Sequence, residues 1–275
     1  MLSYLHQFHA GNFADIHKHS ILTLALNSLL LKEKPFCWID IYGGSGNYLL
    51  EHPDALKTQE AENGIFKIWE KEWPELLISY KNSINTLNIS KLRNYPGSPE
   101  ITRQHIRAQD QIILNELHPA EYIKLKSWFT GDFRISIHQR DALEILSGLI
   151  PPSIRRGGVL IDPSYEVKND YEKVGQQVLQ TVKKWQTGIF LIWYPLLAAN
   201  HHLKLLDLLR STSLSWIKSE FIVHRKTEKG LYGSGMFIIN PPFLLDKNIK
   251  TVEPFWNMLG QDDYTNHTLE LCIQK

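Results

Sequence analysis

The sequence has few of the features that mark specialised classes of protein. Its 275 residues include two cysteines, Cys37 and Cys272, which are too few for a disulfide framework and indicate a reducing compartment, the cytoplasm. The longest apolar stretch, residues 21–31, is about half of a membrane span and contains Asn27 and Ser28. The N-terminus has no basic segment leading into an apolar core, so no signal peptide is expected. We therefore expect no membrane partner.

Metal and hydrolase chemistry lack their usual patterns. The pairs His17 with His19 and His201 with His202 have no cysteine or acid that completes a set of metal ligands, so no metal is expected. The glycine-rich stretches lack the G-x-S-x-G frame of a hydrolase nucleophile. A nicotinamide fingerprint fails because Leu49 stands where its third glycine is required, and no Walker lysine follows.

Strong charge is also absent. The formal net charge is +1 and the pI about 7.8, so no global field attracts nucleic acid, and a nucleic-acid partner would have to be held by a local patch of charge. The loop "HRKTEKG" at 224–230, with Arg225 and Lys226, is one candidate, and Arg155 with Arg156 is another. The alternative for the loop is an ordinary solvated turn.

What is present is an alternation of strands and helices. Apolar runs ending in acids predict strands, and amphipathic stretches between them predict helices, so a mainly parallel sheet with helices on both faces is expected. Residues 48–92 are helical in character, which predicts a small insertion subdomain within a main domain of 1–47 and 93–275. Ligands of such sheets bind at the carboxyl ends of the strands. Predicted strands lie at 36–40, 111–116, 133–138, 157–162 and 188–195, with a late antiparallel pair at 216–226 and 235–240 and a last strand at 268–274.

The loop "DIYGGSGNY" follows the first strand. Asp40, Gly44 and Gly46 form a D-x-x-x-G-x-G pattern, typical of the first motif of S-adenosylmethionine-dependent methyltransferases, although a plain glycine turn is the alternative. A nucleotide-type cofactor also needs an acid for its ribose hydroxyls, and Glu116, which ends the next strand, is the candidate. Asp141 starts a helix, where it is either an N-cap, an acceptor for the cofactor adenine, or both.

Enzymes that methylate exocyclic amines of bases carry the motif (D/N/S)-P-P-(Y/F/W) at the end of a strand, and two stretches compete as this catalytic loop. "DPSY" offers Asp162, the carbonyl of Pro163 and Tyr165, while "NPPF" begins at Asn240. Adenine N6 is a poor nucleophile, so acceptors on its N–H groups and an aromatic stacking partner would assist methyl transfer. With the glycine loop after the first strand, the catalytic loop should end the fourth strand. The fourth predicted strand ends at Asp162, so "NPPF" is predicted to be a structural turn. Ser164 stands where the motif has a second proline, and activity is expected to survive this change.

The stretches "MLSYLHQFHAGNFADIHKHS", "YPGSP", "NELHP", "RRGGVLIDPSYE", "GIFLIWYP" and "GSGMFIINPP" together resemble the bacterial 23S ribosomal RNA adenine-N6 methyltransferases of the J type, along the full length and in order. The resemblance implies a Rossmann-like class I methyltransferase with a mostly parallel seven-stranded sheet and a small helical insertion. It also implies a cytoplasmic enzyme, expected to be a monomer, that uses S-adenosylmethionine to methylate one adenine of 23S rRNA, adenine 2030 in the family's ribosomal numbering.

The resemblance also implies roles for residues that match the family's motifs. Asp162 accepts a hydrogen bond from N6 of the target adenine, this adenine stacks on Tyr165, and Glu116 binds the ribose of the cofactor. The sequence departs from the family's pattern at three positions. Ser164 replaces the second proline, Tyr42 stands where histidine is usual, and Ala142 stands where glycine is usual. Further cofactor-side residues are Lys18, His19, Asp40, Gly44, Gly46, Ser98 and Asp141, and the substrate-side residues are Tyr4 and His6. Arg225 and Lys226 are candidates for the RNA on their charge.

Other classes of function stay open at this stage. A non-catalytic RNA- or cofactor-binding protein whose loop decayed at Ser164 would bind cofactor without turnover. An adenine-N6 DNA methyltransferase would act on duplex DNA. Enzymes that methylate protein glutamine favour N-P-P-Y, so Asp162 argues against them, and a nicotinamide oxidoreductase is the weakest alternative.

Overall fold

A computed structural model of the chain describes residues 5–226 and 230–274. Within them, eight strands form one sheet in the order β10-β8-β9-β7-β6-β1-β4-β5, and β2 pairs with β3 in a separate hairpin. The strands are β1 (Cys37–Asp40), β2 (Asn47–Leu49), β3 (Asn94–Pro96), β4 (Gln111–Asn115), β5 (Ile135–His138), β6 (Gly157–Ile161), β7 (Ile189–Leu197), β8 (Trp216–Ile222), β9 (Leu231–Ile239) and β10 (Asn266–Cys272).

The expected fold class is confirmed, but the expected number of strands is wrong. β10 adds an eighth strand by pairing antiparallel with β8, from Asn266 opposite Ile222 to Cys272 opposite Trp216. The late hairpin of β8 and β9 would otherwise leave β8 as an open edge, and β10 covers its unpaired backbone groups. The antiparallel part of the sheet therefore holds three strands beside five parallel ones.

The parallel strands place the predicted site residues along one edge. β1 lies between β4 and β6, with Asp40 opposite Leu114 on one side and Leu160 on the other. The chain leaves β1 toward β4 and β5 and returns to β6 and β7, so the switch point of the sheet lies at β1. Asp40 ends β1, and Asp162 directly follows β6, so both acids lie at the carboxyl edge.

Helices cover both faces of the sheet, so alternate residues of each parallel strand are buried on opposite sides. Trp38 packs into the core under α1, α4, α5 and α10, while Ile39 packs into the core under α7, α8 and α9. The helices are α1 (Phe13–Leu30), α2 (Pro53–Thr58), α3 (Ile65–Ile68), α4 (Ile78–Asn85), α5 (Ser98–His105), α6 (Pro119–Trp128), α7 (Ala142–Leu149), α8 (Asp170–Lys184), α9 (His202–Leu209) and α10 (Leu245–Asn257), with short 3-10 turns at His6–Phe8, Glu60–Asn63 and Glu75–Leu77.

The helix α1 is central to the site because it is buried on every side. The side chain of Asn12 caps its N-terminus by accepting from the backbone N–H of Asp15. Residues 13–26 are all buried, polar ones included. The segment between β1 and β4 packs against this helix, since Tyr80 and Ile84 of α4 belong to the same core. Polar side chains of α1 therefore need partners inside the protein.

The "NPPF" stretch lies at the opposite edge of the sheet from Asp162. β9 runs antiparallel to β7, with Ile239 opposite Phe190 near the start of β7. The side-chain amide of Asn240 donates to the carbonyls of Gln186 and Gly188, at 3.3 and 3.2 Å. Asn240 also adopts the left-handed conformation, with φ of 55°, that asparagine tolerates well. Its position supports the structural turn predicted from strand order.

Candidate active site

A cavity of about 460 Å³ opens at the carboxyl edge of β1, β4, β6 and β7, a volume within the range of small-molecule sites. One side is formed by the glycine loop and the acids that follow the strands. The other side is formed by the N-terminal segment, α1 and the ends of β7 and β9. Of the residues predicted from the sequence, the lining includes His6, Lys18, His19, Tyr42, Gly44, Ser98, Glu116, Asp141, Ala142, Asp162 and Pro163.

The glycine loop brings the backbone close to the cavity. Gly44 has a φ of 57°, and a Cβ there would lie 2.0 Å from the hydroxyl of Tyr48, so a side chain is excluded. Its N–H donates to Oε2 of Glu116 at 2.8 Å, and the N–H of Gly43 donates to the carbonyl of Asn115 at 2.9 Å. Gly46, with φ of 79°, turns the chain into β2 without lining the cavity.

Glu116 and Asp141 present carboxylates on the same side. Burial raises the pKa of Glu116, although the N–H groups of His118 and Gly44 favour its charged form. Each of its oxygens accepts one backbone N–H and has further lone pairs that can accept hydrogen bonds from a ligand. Asp141 caps α7 by accepting from Leu143 and Glu144 at 3.0 and 3.1 Å, so the predicted N-cap is present.

Asp40 acts beneath the cavity instead of lining it. Its carboxylate is fully buried and accepts from the hydroxyl of Ser98 at 2.6 Å and from the N–H of Tyr42 at 3.2 Å. Burial raises the pKa of Asp40 to about 6, against the opposing effect of these hydrogen bonds. Asp40 therefore fixes two residues that do line the cavity.

The catalytic candidate Asp162 belongs to a buried network centred on α1. The ammonium of Lys18 lies 2.9 Å from Oδ1 of Asp15 and also forms a close ion pair with Asp162. Nε2 of His6 lies 2.9 Å from Oδ2 of Asp15, whose other partner is the N–H of Gly11. The network thus joins the N-terminal segment, α1 and the loop after β6.

The charges in this network support one another. Burial would lower the pKa of Lys18, but the carboxylates of Asp15 and Asp162 outweigh it and raise the pKa above its ordinary value. Burial would raise the pKa of Asp15, but the neighbouring charges of His6 and Lys18 hold it well below its usual range. Lys18 and Asp15 are therefore charged at neutral pH, and Lys18 holds Asp162 in place.

His19 follows Lys18 on the cavity side of α1. Its Nδ1 lies 2.9 Å from the hydroxyl of Tyr95, and the two rings stack with centroids 5.7 Å apart. Tyr95 is hydrogen-bonded in turn to Tyr80 at 2.5 Å. Burial lowers the pKa of His19 well below its ordinary value, so the ring is neutral. A neutral, fixed imidazole therefore lines this wall of the cavity.

Tyr165 is not brought into the cavity. Its side chain is buried, its ring stacks on Tyr171 with centroids 4.2 Å apart, and its hydroxyl donates to the carbonyl of Trp193 at 2.9 Å. Its φ of 52° turns the chain away from the cavity after Ser164, which does line it. The expected stacking face is therefore covered by protein.

The remaining predicted residues lie at the margin or outside the described chain. Arg225 and Lys226 are exposed and precede Gly230, which lines the cavity. The guanidinium of Arg225 lies 5.4 Å from the ring centroid of Tyr264. Tyr4 lies outside the described residues.

Three residues that line the cavity were not predicted from the sequence. Asp15 looked like an ordinary acid in a first helical turn, although its spacing of three from Lys18 was a usable signal. Glu60 lines the cavity and binds His9 and Asn12, both at 2.8 Å, but its segment carries no catalytic motif. Trp193 lines the cavity from within an apolar strand, where aromatic residues usually form core.

Within residues 5–226 and 230–274, no cluster of histidine, cysteine and acidic side chains could hold a metal ion. Over the same residues, no helix has the length and apolar character needed to cross a membrane.

The sheet order, the glycine loop and the acids after β1, β4 and β6 define a Rossmann-like methyltransferase. The sequence profile of the family described as ribosomal RNA large subunit methyltransferase D, RlmJ, matches residues 33–269. The chain is 39% identical over 259 residues to ribosomal RNA large subunit methyltransferase J of Escherichia coli (strain K12), covering 93% of this chain and 92% of that protein. The corresponding protein of Haemophilus influenzae is 38% identical over 260 residues, with the same coverage.

A solved structure agrees along nearly the whole chain. The crystal structure of protein LPL1258 from Legionella pneumophila superposes with a TM-score of 0.88 at 32% identity, covering 95% of this chain and 98% of that chain. The chain therefore belongs to the large-subunit ribosomal RNA methyltransferase J family, which confirms the resemblance seen in the sequence. S-adenosylmethionine is the cofactor, and the polar groups on the Glu116 side of the cavity fit it.

Proposed function

We propose that the enzyme methylates N6 of one adenine in 23S rRNA. The observation that carries this proposal is the position of Asp162. Its carboxylate follows β6, lines the same cavity as the ribose-binding candidate Glu116, and is held by the buried ammonium of Lys18. An acceptor placed beside a cofactor site is what transfer to an exocyclic amine requires.

The chemistry follows from the weakness of the nucleophile. The bound cofactor supplies a methyl group on a positively charged sulfur. Asp162 accepts one N–H of the adenine amine, and the carbonyl of Pro163 accepts the other, which favours the tetrahedral nitrogen of the transition state. A nitrogen–carbon bond forms as the carbon–sulfur bond breaks, and the amine then loses one proton. Asp162 is the acceptor placed to receive it.

The acceptor side is formed by two segments. We assign His6 to it because its ring lines the cavity and is anchored on Asp15. We also propose Tyr4 as a substrate-side residue, on the family resemblance alone. The helical segment 48–92 contributes Glu60, whose two oxygens bind His9 and Asn12. We propose that this segment is a subdomain that walls the acceptor side. An adenine must leave its stack to reach this depth.

The RNA is proposed to be held by Arg225 and Lys226, because their loop leads into Gly230 and Leu231 at the cavity. The ammonium of Lys226 lies 6.0 Å from the ring centroid of Tyr232 and 3.0 Å from Oδ1 of Asn200, so this side chain lies near the ends of β7 and β9. Phosphate contacts there would orient the RNA without reading sequence.

The test uses cofactor with a labelled methyl group and 23S rRNA from a strain that lacks this protein. We expect label in N6-methyladenosine after digestion to nucleosides, and much less label with rRNA that already carries the modification. Comparable transfer to duplex DNA would favour a DNA methyltransferase. Cofactor binding without transfer to any nucleic acid would indicate a decayed enzyme. Ser164→Pro should change the rate by no more than a few-fold.

A further inference from the structure

Trp193 is held from two sides at the acceptor end of the cavity. The indole N–H donates to Oγ of Ser234 at 3.0 Å, and the carbonyl accepts from the hydroxyl of Tyr165 at 2.9 Å. The ring is partly exposed and lines the cavity. The ammonium of Lys18, which pairs with Asp162, lies 5.8 Å from the ring centroid. An adenine whose N6 is bound by Asp162 therefore lies within reach of the indole.

The indole is also part of an apolar wall. Trp193, Pro195 and Leu197 are alternate residues of β7, so they share one face of the strand, and all three line the cavity together with Leu231 of β9. This wall lies beside the catalytic loop and away from the polar groups around Glu116. An apolar surface with one aromatic ring suits a nucleobase, since base–aromatic stacking contributes about 1–3 kcal/mol per base.

Behind the indole, a chain of buried hydrogen bonds runs to the protein surface. Oγ of Ser234 lies 3.0 Å from Nδ1 of His17, and Nε2 of His17 lies 2.9 Å from Oγ of Ser219. Ser219 lies 2.8 Å from Nε2 of His267, whose Nδ1 lies 3.1 Å from the carboxylate of Glu253.

The two end groups, the indole and the carboxylate, determine the direction in which this series of hydrogen bonds is donated. An indole can only donate and a carboxylate can only accept, so each group between them donates toward Glu253. Burial lowers the pKa of His17 and of His267, so both rings are neutral and each donates through one nitrogen. His17 then carries its hydrogen on Nε2 and His267 on Nδ1. Every link is satisfied in this single arrangement, which holds the indole in one orientation.

We propose that the acceptor adenine stacks on Trp193, and that Tyr165 and the chain from Ser234 to Glu253 are positioning residues for this indole. The inference rests on the proposed function and names the surface that receives the base. Tyr165 serves it through its hydroxyl, since its own ring is covered by Tyr171.

The kinetic test compares three variants on 23S rRNA. Trp193→Leu removes the ring and should lower kcat/KM for RNA by about 5-fold to 150-fold. Trp193→Phe keeps a ring and should stay within about five-fold of the wild type. Tyr165→Phe keeps its ring and loses only the bond to Trp193, so a decrease of a few-fold is expected. Affinity for S-adenosylhomocysteine should stay within two-fold in all three.

A binding test separates stacking from a structural role. With the cofactor site saturated by S-adenosylhomocysteine, adenosine should quench the intrinsic fluorescence of the wild type. Trp193→Phe should still bind adenosine by calorimetry but lose this quenching. Unchanged quenching in Trp193→Phe, or kcat/KM within two-fold in Trp193→Leu, would overturn the inference. If the wild type methylates an atom other than adenine N6, the proposed function fails instead, and nucleoside analysis distinguishes that outcome.

Discussion

Replacing Lys18 by methionine tests the buried network around Asp162. The side chains of Lys18, Asp15 and Asp162 are 5%, 1% and 14% exposed, so solvent screens their charges little. Methionine fills most of the volume but leaves two buried carboxylates without their ammonium partner. Removing one partner of a buried ion pair costs about 3–5 kcal/mol of the free energy of unfolding, and we expect a loss in this range at pH 7.

Urea-induced unfolding, followed by circular dichroism, measures this loss as a shift in midpoint at constant slope. Lys91→Met is the matched control. Lys91 lies 2.9 Å from Glu51, and the two side chains are 65% and 44% exposed, so solvent screens this pair and the midpoint should shift much less than for Lys18→Met. In the Lys18→Met background, Asp162→Ala should destabilise less than in the wild type, because it removes an unpaired charge. A loss for Lys18→Met no larger than that of the control would refute the reasoning.

Three further perturbations have defined outcomes. Gly44→Ala forces a Cβ to within 2.0 Å of the Tyr48 hydroxyl at a φ of 57°, so calorimetry should show affinity for S-adenosylhomocysteine reduced about ten-fold or more, and an unchanged affinity would contradict the close backbone approach. His17 has a pKa held well below its ordinary value of about 6.5 by burial and a neighbouring histidine, so its stabilisation is present above that value and is lost as pH falls. Between pH 7 and pH 5 the wild type should therefore lose stability faster than His17→Gln, by up to about 1.4 kcal/mol per pH unit, and parallel curves would count against a neutral His17. Replacing Arg225 and Lys226 by alanine should weaken RNA binding and reduce the slope of log affinity against log salt by about 1–2, with cofactor affinity unchanged, and an unaltered slope would remove the loop from the RNA site.

The sequence predicted those parts of the molecule that local pattern and strand order determine. Apolar runs ending in acids located β1, β4 and β6, and counting strands chose Asp162 over Asn240 although "NPPF" is the fuller motif match. The acids that follow these strands lie together because the carboxyl ends of parallel strands necessarily share one edge of the sheet. The pattern also predicted the last strand, at 268–274, so the eight strands predicted along the chain are the eight of the sheet, and the count of seven implied by the resemblance was wrong.

The rest depends on side-chain direction, which pattern does not determine. "DPSY" is compatible with Tyr165 facing either the cavity or the core, and the left-handed turn at Tyr165 sends the ring into the core. Asp15 belongs to the site because α1 is buried on every side, a property of the packed protein. Trp193 lines the cavity because the pleat of β7 turns its side chain toward that face of the strand. Both faces of this strand carry apolar residues, so the sequence pattern does not show which residues line the cavity and which form the core.

The central claim is that methyl transfer takes place at Asp162. The most direct measurement is the formation of N6-methyladenosine in unmodified 23S rRNA by two purified variants, each confirmed as folded by circular dichroism. Asp162→Ala should form none above background while still binding S-adenosylhomocysteine. Asn240→Ala should retain activity at temperatures where it is folded, because Asn240 only ties the turn to Gln186 and Gly188. Full activity in Asp162→Ala, or loss of activity in folded Asn240→Ala, would contradict the account.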